Sequence, residues 1–358
     1  MKNILTTLCL CAATTVSAQT FQNSEVFDLP EMNQSSVREV IQIPDILGYK
    51  TLKCDFHMHT SFSDGSVWPT VRIDEAWSEG LDAISITDHI EYRPNKNILK
   101  GDLNESYKIA EKRAKAIDFL LVKGIEITRS KPLGHLNALF ITDAEPLDVK
   151  DPIQAIETAC EQGAFIMWNH PGWPDNKATL YPVHEKLIKE KKIHGVETFN
   201  ELEYYPVSFD WCREKNLAFM GCSDVHGLVS TLYGKEKNAR PLTLVFAKDR
   251  SVEGIKEALF AGRSAALFNG ELAGKADLLT ALLKESLSLR TINAEKGEVE
   301  IINTSDIPFV FKTSAGTVTI PADKAVRTKL PLTGTLSVLN CHTGSNTSLT
   351  LNLPLAEL

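Results

Sequence analysis

Six of the nine histidines in this 358-residue chain stand at the ends of short apolar runs, just before turn-forming residues, with carboxylates beside them. In order they read His57-x-His59, Asp64, Asp88-His89, Glu126, His135, His170 and Asp224-x-His226. Neutral imidazoles and carboxylates are the ligands of borderline divalent metals. Polar groups repeated at the ends of buried strands are costly unless they pair or bind an ion. The pattern therefore asks for a fold that brings many strand ends to one rim, which a β/α barrel does.

The spacing between these positions supports that architecture. Residues 52–58 are predicted as a strand, and 69–79 as a helix with Val71, Ile73, Ala76 and Trp77 on one side and Gly80 past its end. Further strands are predicted at 83–87, 119–127, 136–141, 164–168, 195–199, 217–222 and 242–247. The helix before the fifth strand is punctuated by Asp151 as N-cap, Pro152 at its first position, Gln154 placed for a capping box and Gly163 as its stop, with Ile153, Ile156 and Cys160 as its stripe. Strand, helix, strand repeats favour a parallel sheet, and about eight of them close more economically than they stay open. This α/β domain is placed at 46–272.

Hydrophobic residues make up 43% of the chain, enough for one large core and a smaller one. After Gly274 the pattern changes. A short helix at 275–286 leads into alternating runs at 287–290, 298–302, 309–311, 317–320, 336–339 and 348–353, which predict a small antiparallel β-sandwich over 275–358. That segment holds one histidine, His342, with no cluster of acids, and is given no catalytic role.

Net charge is −8, so the side chains carry no strong nucleic-acid footprint. The first residues read as an export signal: Lys2, an apolar stretch from Ile4 to Ala13, and Val16-Ser17-Ala18 ahead of Gln19. Residues 1–18 are thus expected to be a signal peptide without a lipid-attachment box, 19–45 an extended lead-in carrying Pro30 and Pro44, and the product periplasmic or secreted. Beyond it no run is long enough to span a bilayer. Cys54, Cys160, Cys212, Cys222 and Cys341 remain, in neither a zinc-knuckle nor a disulfide pattern, and are expected mostly as small core residues.

The blocks Asp55-Phe-His-Met-His-Thr-Ser-Phe-Ser-Asp-Gly65, Ile86-Thr-Asp-His89, Gly124-Ile-Glu126, Gly134-His135, Asn169-His-Pro171 and Ser223-Asp-Val-His226 resemble the ordered motifs of the PHP (polymerase and histidinol phosphatase) family. The resemblance covers about residues 50 to 270. It implies a distorted seven-stranded β/α barrel holding two or three divalent metal ions, with the strand at 242–247 peripheral. Position by position, it implies that His57, His59, Glu126 and Asp224 hold one ion, Glu126, His135 and His170 a second, and Asp64, His89 and His226 a third. Asp64, His89, Glu126 and His226 then make up the catalytic set. Asp64 stands where some members have histidine, so the third site is expected to prefer a harder metal or to fill less readily. Asp88 and Asp55 are expected to orient neighbouring imidazoles.

With no Cys ligand the set suits Zn, Mn or Fe. A bound metal lowers the pKa of its water from about 15.7 toward about 7, and adjacent ions clamp the attacking and leaving oxygens of an in-line displacement. No Ser or Cys is paired with a base. The expected reaction is therefore attack of metal-bound hydroxide on a small phosphomonoester or a nucleotide-like phosphodiester. Two alternatives stay open: a metal-dependent hydrolase of a C–N or carboxylic ester bond, since the same nucleophile attacks carbonyls, and a non-catalytic metal-containing binding protein. Arg129 and Lys131 are candidates to hold phosphate, or else solvated loop charges. Trp173, Tyr204 and Tyr205 are candidates to stack on a base or sugar, or else packing groups. His184 and His194 are expected to face solvent.

Overall fold

Every apolar run expected as a strand before residue 250 is one in the computed structural model, which describes residues 37–234, 240–313, 316–331 and 333–353. The elements are β1 (Lys50–Asp55), α1 (Pro69–Ser78), β2 (Ala83–Ile86), α2 (Glu105–Ala116), β3 (Leu120–Ile127), β4 (Leu136–Leu139), α3 (Pro152–Glu161), β5 (Phe165–Trp168), α4 (Pro182–Lys189), β6 (Gly195–Asn200), β7 (Glu203–Tyr204) and α5 (Pro206–Lys215). They continue with β8 (Ala218–Cys222), α6 (Val229–Tyr233), β9 (Leu242–Ala247), α7 (Val252–Phe260), β10 (Ser264–Phe268), β11 (Glu271–Gly274) and α8 (Ala276–Ser286). The punctuation of α3 is realised: the Asp151 carboxylate accepts from the Ile153 N–H at 2.9 Å, and Gly163 adopts φ +77° beyond its end. Its buried stripe is Ala155, Ile156 and Ala159, with Ile153 and Cys160 only half-buried.

The sheet is mixed, which corrects the expected parallel one. β1, β2 and β3 run parallel, as do β5, β6 and β8, but β4 lies antiparallel to both β3 and β5. The physical reason is the connection. Only the loop 128–135 joins β3 to β4, with no helix, and a parallel crossover needs a dozen or more residues.

The two ends of this run of strands meet. Just beyond the ends of β1 and β8, Met58 bridges Val225 in parallel. β9 lies outside the run, antiparallel to β1, and its Thr243 hydroxyl bonds both the N–H and the C=O of Gly221 in β8. A Cβ on Gly221 would sit 2.6 Å from the Leu242 carbonyl oxygen, so this approach requires glycine. The α/β arrangement is consistent with the expected barrel.

The C-terminal strands are β12 (Leu287–Asn293), β13 (Glu298–Asn303), β14 (Phe309–Thr313), β15 (Gly316–Ile320), β16 (Lys324–Lys329), β17 (Gly334–Gly344) and β18 (Thr347–Leu353). β12, β13 and β16 form one antiparallel sheet. β15, β14, β17 and β18 pair antiparallel, and β17 also runs parallel to β11, so this second sheet is continuous with the large one. β16 escaped the sequence pattern because it is a charged edge strand whose residues are all at least partly exposed.

From Arg38 onward the described residues pack as one unit. A shared core runs from Ile73 and Ile84 through Leu244 and Leu279 to Phe309 and Val338. Cys54, Cys212, Cys222 and Cys341 are buried, Cys160 is half-buried, and all five are unpaired. The segment 37–45 is described and runs without regular structure, burying Ile41 and Ile43; the expected signal peptide, 1–18, lies outside the described residues. Among the described residues no helix is long and apolar enough to cross a membrane.

Candidate metal centre

Strand alternation aims the first pair of imidazoles. Phe56 and Met58 are buried among apolar side chains, so His57 and His59 project to the opposite side, their rings 5.1 Å apart. The segment after β8 lies alongside in register: the Asp224 N–H donates to the His57 carbonyl at 2.8 Å, and the His59 N–H to the Val225 carbonyl at 3.1 Å. A second pair of strand ends repeats this arrangement. His89 bridges Glu126, the Glu126 N–H donating to the Asp88 carbonyl at 3.1 Å and the Ile90 N–H to the Glu126 carbonyl at 3.0 Å. Register alone thus gathers residues far apart in sequence.

His135 depends on the reversed strand. It precedes β4, and an all-parallel sheet would have sent it to the far edge. Because β4 runs antiparallel, its start lies beside the end of β5, where the Asn169 N–H donates to the His135 carbonyl at 3.0 Å. His170 and Asp224 hold φ values of +23° and +51°, a region that non-glycine residues rarely adopt and that is concentrated at functional sites.

At the centre sits Glu126, fully buried. Its Oε2 lies 2.9 Å from His89 Nδ1 and 3.4 Å from Nε2 of both His57 and His59, and its Oε1 lies 2.6 Å from His135 Nδ1. Neither oxygen makes a hydrogen bond of proper geometry. The two facing imidazoles state the same deficit. His57 Nδ1 is taken by Glu197 at 2.8 Å. His59 Nδ1 faces Ser63 Oγ at 3.4 Å, and that hydroxyl donates to Asp88 at 2.7 Å. In the neutral imidazoles both Nε2 atoms are therefore lone pairs, and they face each other at 3.1 Å, with Asp224 Oδ1 3.1 Å from one and 3.0 Å from the other. Lone pairs and carboxylate oxygens aimed at common points fit a set of cations.

Four overlapping donor groups are placed to hold an ion: His57, His59 and Asp224; His57, Glu126 and His170; His89, Glu126 and His135; and His59, Asp64, His89 and His226. All nine residues of the implied ligand set come together here. The grouping is less tidy than the resemblance implied, because His135 and His170 fall in different groups while Glu126 belongs to both. In the outermost group Asp64 Oδ1 lies 3.2 Å from His226 Nε2 and 3.5 Å from His89 Nε2.

The charges answer one another. Burial opposes ionisation of Asp64, but His226 and His89 hold its carboxyl far below the usual range. Burial also opposes charge on His57, yet Asp224 and Glu197 hold that imidazole well above its ordinary value. His89 is pushed up to about 10 against burial by Asp64 and Glu126, whereas burial dominates at His170 and brings it down to about 4. The carboxylates demand positive charge, and protons and metal ions compete to supply it.

Supporting groups correct the expectations for Asp55 and Asp88. Asp88 accepts from the Thr60 N–H and hydroxyl and from Ser63, so it reaches His59 only through that serine. Asp55 accepts from the Ser223 N–H and hydroxyl and the His57 N–H, bracing backbone rather than an imidazole. The carboxylate that does orient an imidazole directly is Glu197 in β6, which sequence reasoning passed over. It also accepts from the His170 N–H at 2.7 Å and Asn200 Nδ2 at 2.9 Å. Its signal was an acid in the interior of the strand Gly195–Asn200, every residue of which is buried.

Above the donors opens a cavity of about 600 Å³, walled by Tyr92, Thr128, Trp173, Asn200, Glu201, Glu203 and Tyr205 and floored by Asp64, His89, His135, His170, Asp224 and His226. Trp173 therefore meets the cavity, its ring 4.8 Å from that of His135. Arg129 does not: its guanidinium pairs with Glu91 and donates to the Thr128 and Val149 carbonyls at 3.0 and 2.8 Å. Lys131 is engaged by Asp175 and the Lys177 carbonyl. Tyr204 faces an adjoining groove, and its neighbour Tyr205 takes the cavity wall, donating to Glu203 at 2.8 Å. His184 and His194 correct the solvent expectation: His184 is buried against Trp168 and bonds the Leu133 carbonyl at 2.7 Å, and His194 Nδ1 accepts from the Ile166 N–H at 2.9 Å.

No family model matches the sequence. Over 83 residues the chain is 32% identical to an uncharacterized protein of Methanocaldococcus jannaschii, a match taking in 23% of this chain and 36% of that protein. The crystal structure of a two-domain protein containing a predicted PHP-like metal-dependent phosphoesterase from Bacteroides vulgatus superposes with a TM-score of 0.85 at 39% identity, covering 89% of this chain and 99% of that one. A lesion-specific endonuclease of Pyrococcus furiosus matches at a TM-score of 0.41 and 16% identity over 63% of this chain and 59% of that one.

Proposed function

The chain belongs to the family of PHP-like metal-dependent phosphoesterases, and on that premise we propose that it hydrolyses a small phosphomonoester or nucleotide-like phosphodiester by direct attack of water on phosphorus. The observation that carries this is the orphaned, fully buried carboxylate of Glu126 among four imidazole nitrogens, two of which, those of His89 and His135, belong to rings that line an open cavity. A closed structural site has no need of such an opening. In this reading, as the resemblance implies, His57, His59, Glu126 and Asp224 would hold one ion, Glu126, His135 and His170 a second, and Asp64, His89 and His226, with His59 beside them, a third, drawn from Zn, Mn or Fe. Divalent ions held there would supply an ionised water at neutral pH and neutralise charge on the phosphoryl oxygens.

The protein's own part is positional. Glu197 fixes the tautomer of His57, so that Nε2 presents a lone pair. The His226 Nδ1–H donates to the Asp224 carbonyl at 2.8 Å, with the same result for its Nε2. Trp173 and Tyr205 wall the cavity above the donors. Asp64, His89, Glu126 and His226 form the proposed catalytic set. Residues 46–272 are read as a distorted seven-stranded barrel, 275–358 as a small sandwich-like domain, and the protein as exported after removal of residues 1–18.

Elemental analysis of purified protein, followed by phosphate release from a panel of phosphorylated and acylated compounds, tests the reading. Hydrolysis of phosphoesters, lost in folded His57→Ala and Glu126→Ala protein, is expected. Hydrolysis confined to acylated compounds, or full activity in either variant, would overturn it.

A further inference from the structure

Arg72 lies on α1, is fully buried, and has no place in the ligand set. The buried stripe of that helix is Pro69, Arg72, Ile73 and Ala76, so the arginine occupies a position where an aliphatic side chain would ordinarily pack. Burying a guanidinium is costly unless its donors are satisfied, and an apolar replacement is often no less stable. Here the donors go to a specific purpose. Nε donates to the His59 carbonyl at 2.9 Å, Nη2 to the Val225 carbonyl at 2.9 Å, and Nη1 to the Gly227 carbonyl at 2.7 Å and to Glu75 at 3.0 Å. Glu75 in turn accepts from the Val229 N–H at 3.0 Å.

One planar fork therefore ties the loop that carries His59 and Asp64 to the loop that carries Asp224 and His226. Asp64 and His226 meet across those two loops, their side chains 24% and 41% exposed, whereas Glu126 and His57 sit on strand ends and are fully buried. We propose that Arg72 is a positioning residue whose guanidinium sets the spacing of these two loops and so the affinity of the outermost ion, the one taken by His59, Asp64, His89 and His226. This rests on the metal-dependent reading above. The inner donors Glu126, His135 and His170 make no direct contact with this fork.

The test is ion stoichiometry and affinity for full-length protein reconstituted with Zn²⁺, read by elemental analysis and chelator competition. Wild type is expected to retain three ions. Arg72→Met is expected to retain two, the third bound roughly 10–100-fold more weakly, as is usual when a group that orients ligands is removed. Arg72→Lys keeps the charge but not the fork and is expected to fall between them. Arg113→Met, which breaks the pair at 2.6 Å between Arg113 on α2 and the Asp74 carboxylate on α1, the helix of Arg72, serves as control for a lost ion pair on that helix and is expected to keep all three. Should Arg72→Met not fold, Arg72→Lys and Glu75→Gln carry the comparison. Wild-type affinity for every ion in the folded Arg72 variants overturns the proposal, as does equal ion loss in Arg113→Met. Fewer than three ions on the wild type instead overturns the three-ion reading on which it rests.

Discussion

Replacing Glu197 by glutamine changes one atom and disturbs two ligands. The native carboxylate serves three donors: His57 Nδ1 at 2.8 Å on Oε1, and the His170 N–H and Asn200 Nδ2 at 2.7 and 2.9 Å on Oε2. An amide offers one oxygen. Turned toward His57, it leaves its NH2 against the other two donors. Turned the other way, it drives the His57 proton onto Nε2 and removes the lone pair a metal needs. Exchanging a charge-assisted bond for a neutral one loses about 1–1.5 kcal/mol, and a buried donor left without a partner costs about 1–3 kcal/mol. The sum, about 2–4.5 kcal/mol, overlaps at its lower end the roughly 10–100-fold loss of metal affinity, about 1.4–2.8 kcal/mol, typical of such substitutions. It should be felt most by the ions at His57 and His170, since the His170 N–H anchors a turn held at positive φ. Chelator competition measures the affinity, and phosphate release against free metal measures the consequence: activity falls at limiting metal and recovers when metal is raised. Wild-type affinity in Glu197→Gln would refute the reasoning.

Other expectations follow from particular contacts. His184 is buried, and burial brings it down to about 4 from an ordinary 6.5. The unfolded chain then binds the extra proton, so this stabilisation is complete above about pH 6.5 and is lost as pH falls toward 4, a loss of about 3 kcal/mol. Urea unfolding of metal-free His184→Phe protein should show a shallower decline across that window, and an unchanged slope would count against it. Gly65→Ala would place a Cβ 2.7 Å from backbone atoms of His59 and Thr60. That overpacking, typically about 1–3 kcal/mol, should lower the unfolding midpoint and weaken the ion at Asp64; an unchanged midpoint would be contrary. Arg129→Met should leave kcat/KM within about twofold, because the guanidinium is turned from the cavity, while Trp173→Ala should raise KM more than it lowers kcat. The reverse pattern, read from steady-state kinetics on any hydrolysed phosphoester, would reassign both side chains.

Much of the architecture was legible because strand and helix periods are local. The runs that become β1 to β6, β8 and β9 are each bounded by turn residues, and Asp151, Pro152 and Gly163 mark α3 without help from the rest of the chain. The direction of β4 was not legible from apolar periodicity, which is the same whichever way a strand runs. Its clue was the missing helix between β3 and β4. β16 was lost because an edge strand with exposed charges carries no apolar alternation. Glu197 and Arg72 were overlooked for a shared reason: a charged residue within a strand or helix looks like an ordinary surface residue until its partners are known. Arg129 and Lys131 misled for the opposite reason, since proximity to Glu126 in sequence says nothing about which carboxylate captures a long cation first.

Residue type and position at strand ends determined that this chain must satisfy buried imidazoles and carboxylates together, and the resemblance of its motifs to a known family singled out nine of those side chains. The three-dimensional fold decided how they share that task. Pairing register and the reversal of β4 bring His135 to the same rim as Glu126, and Glu197 and Arg72 hold the loops at a distance set by hydrogen bonds across 140 and 153 residues of chain. Bonds over such separations exist only once the sheet has curved back on itself, so local chemistry cannot announce them.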